Sequence, residues 1–148
     1  MNTDTETETA PSSDPRIAAA LDEIGYAYEI DESGSFFVMF NFEGGRTQKV
    51  CIASGTDEFM GIELREISSG AIFSEGIFDA RTANYLLRDN AKVKFGAWGI
   101  EILDNKHYAI FTMKVAAALP PQTLGEIAEV VAYIADQTEE RLSGLDEF

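Results

Sequence analysis

The sequence predicts an α+β protein in which an antiparallel sheet of about five to six strands packs with three helices, in the order α-ββββ-α-ββ-α. Apolar and polar residues alternate over much of residues 26–67 and 93–116, which is the period of half-buried strands. The connections between these strands are short and rich in Gly, Asn and Asp, so neighbouring strands are predicted to form antiparallel hairpins. Three further segments carry apolar residues at the three-to-four spacing of an amphipathic helix.

The first helix and four strands are predicted between residues 14 and 67. Asp14-Pro15 places an N-cap acid before a proline at the first helical position, and Gly25 is the predicted C-cap. The segment 35–42 (SFFVMFNF) is apolar on both faces, which predicts a central strand or one covered on each side. Residues 68–76 have no clear period and are predicted to cross from the sheet to the second helix. The four predicted strands are 26–30, 35–42, 46–53 and 59–67.

The third and fourth strands each carry an alternating pattern that predicts two distinct faces. In the third strand, Val50 and Ile52 share one face. In the fourth strand an apolar set alternates with a glycine and two charged residues, namely Met60, Ile62 and Leu64 with Gly61, Glu63 and Arg65.

The second helix precedes the last two strands. Asp79 is the predicted N-cap of a helix over residues 80–89, in which Ala83, Leu86 and Leu87 point inward. The last two strands are predicted over 93–103 and 107–116, with a turn at residues 104–105 between them.

The third helix is predicted to be long and amphipathic. Thr123 and Glu126 have the spacing of a capping box, so Thr123 is predicted to open the helix, and Ser143-Gly144 to close it. Its charged residues, among them Asp136 and Glu139, are predicted to lie largely on the face opposite the apolar one. Such a helix must cover an apolar surface, either of the sheet or of a partner.

Length and charge limit the domain organisation and the partners. The 148 residues predict a single α+β domain over residues 14–148, preceded by a disordered acidic tail over residues 1–13. The formal net charge is −15, with 11 basic residues spread among 26 acidic ones. Binding to nucleic acid or to an anionic membrane needs clustered Lys and Arg, so neither is an expected partner.

The sequence predicts a cytoplasmic protein. It lacks a basic start followed by an apolar run, which a signal peptide would show, and it has no apolar run of the length that spans a membrane. The single cysteine, Cys51, excludes an intramolecular disulfide and fits a reducing compartment.

The motifs that carry catalytic chemistry are absent from the sequence. His107 is the only histidine and Cys51 the only cysteine, and they fall on separate predicted strands, which does not favour a catalytic pair or a zinc site. There is no phosphate loop, nucleophile elbow or dinucleotide fingerprint. We therefore expect no catalytic residues, no metal site and no cofactor, and a protein that is not an enzyme.

The aromatic residues provide the remaining indication of function. The sequence contains ten Phe, and on the strand 35–42 Phe37 and Met39 share the face opposite Phe36 and Val38. If helices cover only one face of the sheet, the second face is exposed and fits a protein partner; if they cover both, these residues belong to a core. Phe37, Met39 and Trp98 are the predicted partner-binding residues.

Several segments of the sequence resemble the YbjN-like family. They are Leu86–Asn90 (LLRDN), Gly96–Trp98 (GAW) and the acidic stretch over residues 135–148, together with the order of the predicted elements. This bacterial family is described as a sensory transduction regulator, and its fold is similar to that of type III secretion chaperones, which are small acidic homodimers that hold a segment of a client protein. The resemblance covers residues 17–148. It implies a cytoplasmic homodimer that binds protein, and it supplies no catalytic residues.

The function expected from the sequence is that of a non-enzymatic protein-interaction module, chaperone-like or a regulatory adaptor, acting as a homodimer. The dimer is expected to use the second helix, the strand beginning at Val93, or both. The alternative is a small-molecule-binding sensory domain or small enzyme with a site between sheet and helices, where Asp136, Glu139 or His107 would supply the polar groups. A purely structural subunit is a third possibility.

Overall fold

The computed structural model describes residues 12–143 and 148, and it confirms the predicted α+β class and the predicted order of elements. The predicted tail falls outside the described residues, apart from Ser12 and Ser13. The helices are α1 (Pro15–Ile24), α2 (Ala80–Asn90) and α3 (Pro121–Leu142), and the strands are β1 (Glu29–Ile30), β2 (Phe36–Asn41), β3 (Thr47–Phe59), β4 (Ile62–Ser74), β5 (Ala97–Leu103) and β6 (Lys106–Ala116).

Six strands form one antiparallel sheet in the order β1-β2-β3-β4-β6-β5. The first four strands follow one another as hairpins. The chain then passes through α2 to β5 at the far edge and returns as β6, which fills the position between β4 and β5. β5 is therefore an edge strand, and β1 covers only Phe36 and Phe37 of β2 at the other edge.

The core lies on one face of this sheet. α3 packs across β3, β4 and β6, while α1 packs against α3 and α2 against β5. Cross-strand pairs such as Phe36 with Ile52 and Ile67 with Met113 place buried side chains on this face, in one cluster with buried residues of all three helices. Because side chains alternate along a strand, the intervening residues point to the opposite face, which carries none of the described helices.

The ends of α1 and α2 follow the predicted local rules. The carboxylate of Asp14 accepts a hydrogen bond from the backbone N–H of Arg16, and Pro15 occupies the first turn. α1 ends at Gly25 with φ of 78°, in the left-handed region that glycine adopts without strain. The carboxylate of Asp79 caps α2 by accepting from the N–H of Thr82.

The predicted start of α3 is wrong. The helix begins at Pro121, and Thr123 lies inside its first turn rather than at the cap. Proline is well suited to the first helical position because its φ is already helical and that position needs no N–H donor. Pro120 is the N-cap residue and makes no side-chain capping hydrogen bond.

The hairpin of β3 and β4 is longer than predicted, and its turn lies elsewhere. Met60 and Gly61 have φ of 53° and 82°, the positive values that a two-residue turn between strands requires. Two residues of the predicted apolar set, Met60 and Ile62, are not buried. They are 85% and 54% exposed and belong to the hairpin tip, in which residues 57–63 are all exposed. Arg65 and Ile67, closer to the sheet, face the core.

The prediction that residues 68–76 leave the sheet is also wrong, since β4 continues to Ser74. The pairing of β4 with β6 shifts register between Gly70 and Ile72. Such an irregularity places two successive residues, Ala71 and Ile72, in the core. The alternation that identifies a strand in the sequence is lost at that point. The strands predicted from residues 26 and 93 start later, at Glu29 and Ala97.

Arg65 joins α1 to the sheet. Its side chain is 2% exposed, and its guanidinium donates to the carbonyl oxygens of Ala53 at 2.7 Å and Ser54 at 3.0 Å. A third hydrogen bond, at 2.6 Å, reaches Oδ2 of Asp14. Hydrogen bonds from Arg16 and Arg65 hold the pKa of the Asp14 carboxyl well below its usual range. The N-cap of α1 is thereby an ion-pair partner of a buried strand residue.

We expect Arg65→Met to lower the free energy of unfolding by about 2–4 kcal/mol, because it removes a donor from two carbonyl groups and one of the two arginine partners of the Asp14 carboxylate. Urea denaturation monitored by circular dichroism measures the loss. Arg81→Met, at an exposed position of α2, is the matched control and should change stability by less than about 0.5 kcal/mol. Equal losses in the two variants would contradict this structural role of Arg65.

Candidate protein-binding groove

The face of the sheet opposite the core, here called the open face, is built mainly from small and polar side chains at its centre. Cross-strand pairing joins Phe37 to Cys51, Cys51 to Ser68, and Ser68 to Thr112. Thr112 in turn pairs with Ala97 on β5. This row therefore places a large side chain on β2 and much smaller ones on the strands that follow.

A groove of about 750 Å³ runs across the open face. The strand order puts β2 on one side of it and β5 on the other, so Phe37 and Met39 form one wall and Leu103 belongs to the opposite one. Small side chains of β3 and β4 lie between these walls. The groove, called the open-face groove below, is lined by Phe37, Met39, Thr47, Lys49, Cys51, Ala53, Glu66, Ser68, Ser69, Gly70, Glu101, Leu103, Ile110 and Phe148.

The charges along the open-face groove are few and of both signs. Lys49 places its ammonium group 5.8 Å from the centroid of the Phe37 ring, in cation–π range, and also pairs across the sheet with Met39. Glu66 and Glu101 are the acidic residues of the lining. The lining thus combines apolar walls with isolated charges.

The groove carries no evident catalytic equipment. Burial raises the pKa of the Cys51 thiol, so its nucleophilic thiolate form is disfavoured. Within residues 12–143 and at 148, no group of three or more His, Cys, Asp or Glu side chains is placed to hold a metal ion. What this arrangement can do is bind an apolar or aromatic side chain.

The structure brings together two of the three predicted partner-binding residues. Phe37 is half-buried and Met39 is 48% exposed, and both line the open-face groove. The structure therefore has helices on only one face of the sheet, and Phe37 and Met39 lie on the other face rather than in a core between two layers.

Trp98, the third predicted partner-binding residue, does not line the open-face groove with Phe37 and Met39. It is only 7% exposed and lies in the core, where its ring packs against Phe111 with centroids 5.3 Å apart. Its indole N–H donates to Oδ2 of Asp89 on α2 at 2.8 Å. The reason is the alternation of side chains along β5, in which Ala97 pairs with Thr112 of the open face and Trp98 pairs with the buried Phe111.

The polar residues of the alternative site do not converge. Asp136 and Glu139 are buried, contrary to the prediction for α3, and both bind Arg46, at 2.9 Å and 3.2 Å. His107 makes no hydrogen bond or ion pair with either acid, and its Nδ1 is buried without a partner among the described residues.

A cavity of about 330 Å³ lies between α1, the end of β6 and α3. Its lining includes Ile17, Arg65 and Leu124 but none of the three polar residues Asp136, Glu139 and His107.

A second apolar surface lies at the β5 edge of the sheet. Ile100 and Ile102 are 50% and 62% exposed on this edge strand. Leu87 of α2, which packs beside β5, is 67% exposed, so the prediction that it points inward is wrong, whereas Leu86 is buried as predicted. In the sequence, the signal for this surface is the apolar character of residues 97–103. The structure shows that they form an edge strand, β5.

No protein-family model matches this chain, and no curated protein matches it significantly. None of the helices within the described part of the chain is long and apolar enough to cross a membrane. The resemblance to the YbjN-like family therefore stays a prediction from the sequence.

We expect Trp98→Ala to lower the free energy of unfolding by about 3–5 kcal/mol, because it opens a cavity in the core and removes the donor to Asp89. Met39→Ala, which removes a large side chain from the open-face groove, should cost less than about 1 kcal/mol. Urea denaturation of both variants measures the difference. A Trp98→Ala variant as stable as Met39→Ala would contradict the placement of Trp98 in the core.

Proposed function

We propose that this protein is a non-enzymatic protein-interaction module, chaperone-like or a regulatory adaptor, that acts as a homodimer and holds a segment of a partner protein in the open-face groove. The observation that carries the proposal is the one-sided cover of the sheet. All three helices belong to the core on one face, and the other face presents a groove with Phe37 and Met39 on its wall. An accessible groove with apolar walls is an expected site for side chains of another polypeptide.

The composition of the groove favours a protein segment over other ligands. Phenylalanine and methionine provide contact area and adaptable packing at protein interfaces. The formal net charge of −15 disfavours nucleic acid and anionic membranes, since both carry dense negative charge. Lys49 beside Phe37 offers a cation to an acidic or carbonyl-rich segment.

The homodimer is proposed to form through β5 and α2. An edge strand with exposed apolar side chains is prone to pair with another strand, and a second copy can supply that strand by antiparallel pairing. Exposed Ile102 on β5 and exposed Leu87 on α2 lie on elements that pack together, so the two side chains can belong to one interface. This leaves the open-face groove of each copy available to a partner.

The resemblance to the YbjN-like family is consistent with this proposal. It implies a cytoplasmic, dimeric protein of the type III secretion chaperone-like fold, and the acidic composition agrees with it. A similar fold alone does not define a client, so the proposal rests on the groove and on the β5 edge.

We expect Phe37→Asp to reduce partner capture at least about tenfold while the protein stays folded, because a carboxylate on the groove wall cannot be desolvated against an apolar side chain. The measurement is a tagged pull-down from the native cell extract at two salt concentrations, with the recovered protein quantified by mass spectrometry. Circular dichroism of the variant establishes that it is folded.

Phe59→Asp is the matched control for this experiment. Phe59 is 63% exposed at the tip of the β3–β4 hairpin, outside the groove lining, so its substitution should leave capture unchanged. Undiminished capture by folded Phe37→Asp would contradict the groove as the binding surface. Recovery of the protein itself alone, with no partner, would favour the ligand-binding alternative.

We expect Ile102→Lys to convert the dimer to a monomer, since a lysine on an edge strand opposes pairing with a second strand. Sedimentation equilibrium at several concentrations measures the association. Ile62→Lys provides the control, because Ile62 is 54% exposed at the hairpin tip and away from β5. A wild-type protein that is monomeric at all concentrations, or an Ile102→Lys variant that still dimerises, would exclude the β5 interface.

A further inference from the structure

An aromatic ring of the chain itself lies in the open-face groove. The ring of Phe148 lies over Gly70, where a Cβ would be 2.9 Å from Cδ1 and 3.1 Å from Cε1 of the ring. It also packs edge-on against Tyr108, with centroids 6.5 Å apart and an interplanar angle of 89°. Ile110, the cross-strand partner of Gly70, is part of the groove lining. We call the site formed by Gly70, Tyr108 and Ile110 the Gly70 recess.

The backbone does not explain why residue 70 is a glycine. Its φ lies outside the left-handed region that favours glycine, so the backbone would accept a side chain there. A glycine inside a strand lowers β propensity, and one frequent reason for it is the close approach of another group. Here the group that approaches is the Phe148 ring.

The floor of the recess is held in place from the core side. The carboxamide of Gln48, which is fully buried, donates to the carbonyl oxygen of Gly70 and to Oγ of Ser69, both at 2.6 Å. The Ser69 hydroxyl in turn donates to the carbonyl of Lys49 on β3 at 2.7 Å. These bonds tie β3 to β4 directly beneath the recess, so a ring meets a preorganised surface and binding orders little backbone.

We propose that the Gly70 recess is a binding site for an aromatic side chain of the partner segment, and that Phe148 occupies it when no partner is bound. This inference rests on the proposed function, because it specifies the chemistry of the segment that the open-face groove holds. A flat ring fits the recess because the floor lacks a side chain and Tyr108 offers the edge-to-face contact that aromatic pairs prefer. The remainder of the segment would pass towards Phe37 and Met39 on the far wall.

The intramolecular ring competes with the partner. An aromatic side chain of a partner can enter only in the fraction of molecules from which Phe148 has left, so its apparent affinity is reduced by that fraction. Phe148 is half-buried, and among the described residues its ring contacts Tyr108 and the Gly70 floor, so a partner that also contacts Phe37 and Met39 can displace it.

The first test uses the chain of residues 1–148 without any ligand. Two-dimensional nuclear magnetic resonance detects the ring current of Phe148 at the protons of Gly70. Phe148→Ala should shift the Gly70 resonances markedly, and Phe59→Ala, which removes an exposed ring elsewhere, should not. Gly70→Ala is a second route to the same state, read at the ring protons of Tyr108, since its methyl group displaces the Phe148 ring without removing it. Unchanged Gly70 resonances in folded Phe148→Ala would show that the recess is not occupied, which overturns the inference.

The second test measures binding of a defined aromatic probe, N-acetylphenylalanine methylamide, by titration of the Gly70 and Ile110 amide resonances. Phe148→Ala should bind the probe about 3–10-fold more tightly than the wild-type protein, because the competitor is gone. Phe59→Ala should match the wild type, and a Gly70→Val substitution added to Phe148→Ala should abolish binding. Equal affinities in Phe148→Ala and the wild type, or equal binding of N-acetylleucine methylamide, would refute an aromatic site with an intramolecular competitor.

The inference and the proposed function fail in different ways. Probe binding at Gly70 together with undiminished partner capture by Phe37→Asp would leave the recess established and the proposed function wrong. Loss of capture in Phe37→Asp without any probe binding would support the proposed function and refute the aromatic recess.

Discussion

One long helix covers the middle of the sheet on a single face, and the rest of the structure depends on that contact. Ala128, Ala132 and Ala135 of α3 are completely buried above β3, β4 and β6. Their small side chains let the helix lie close to the sheet, where burial of apolar surface and close packing supply the main stabilisation. The same contact buries Asp136 and Glu139 on α3, and Arg46 compensates part of their charge. Since the described helices all lie on this face, the opposite face carries none of them.

The open face has a composition suited to exposure. Polar and small residues such as Ser68 and Thr112 occupy its centre, and Lys49 and Glu66 add charge. Phe37 and Met39 lie at the β2 side of the groove and Leu103 at the β5 side, with Ile110 and the ring of Phe148 between them. A groove with limited apolar area can bind a polypeptide segment without exposing a large apolar patch that would promote aggregation. The acidic composition of the chain acts in the same direction, because like charges disfavour nonspecific association.

Local signals in the sequence predicted most of the architecture. Asp14, Gly25 and Asp79 act as caps because capping involves only neighbouring backbone groups, and the Asp104–Asn105 turn has the positive φ values that its residues tolerate. Alternation predicted the two faces of β2, which is why Phe37 and Met39 were found together. The local signals failed in β4, where a register shift interrupts the period at Gly70.

By itself, the sequence determined the class and order of the elements, the absence of a recognisable catalytic motif, and the placement of Phe37 and Met39 on the same face of one strand. Periodicity, caps and turns encode these features within a few residues. Only the tertiary structure decided which face the helices cover, and that Arg65, Trp98 and Asp136 are buried. It alone decided that the ring of Phe148 lies over Gly70. Each of these features depends on contacts between residues far apart in the chain, where the energy of packing outweighs the local pattern that would expose a charge or leave a tryptophan on the surface.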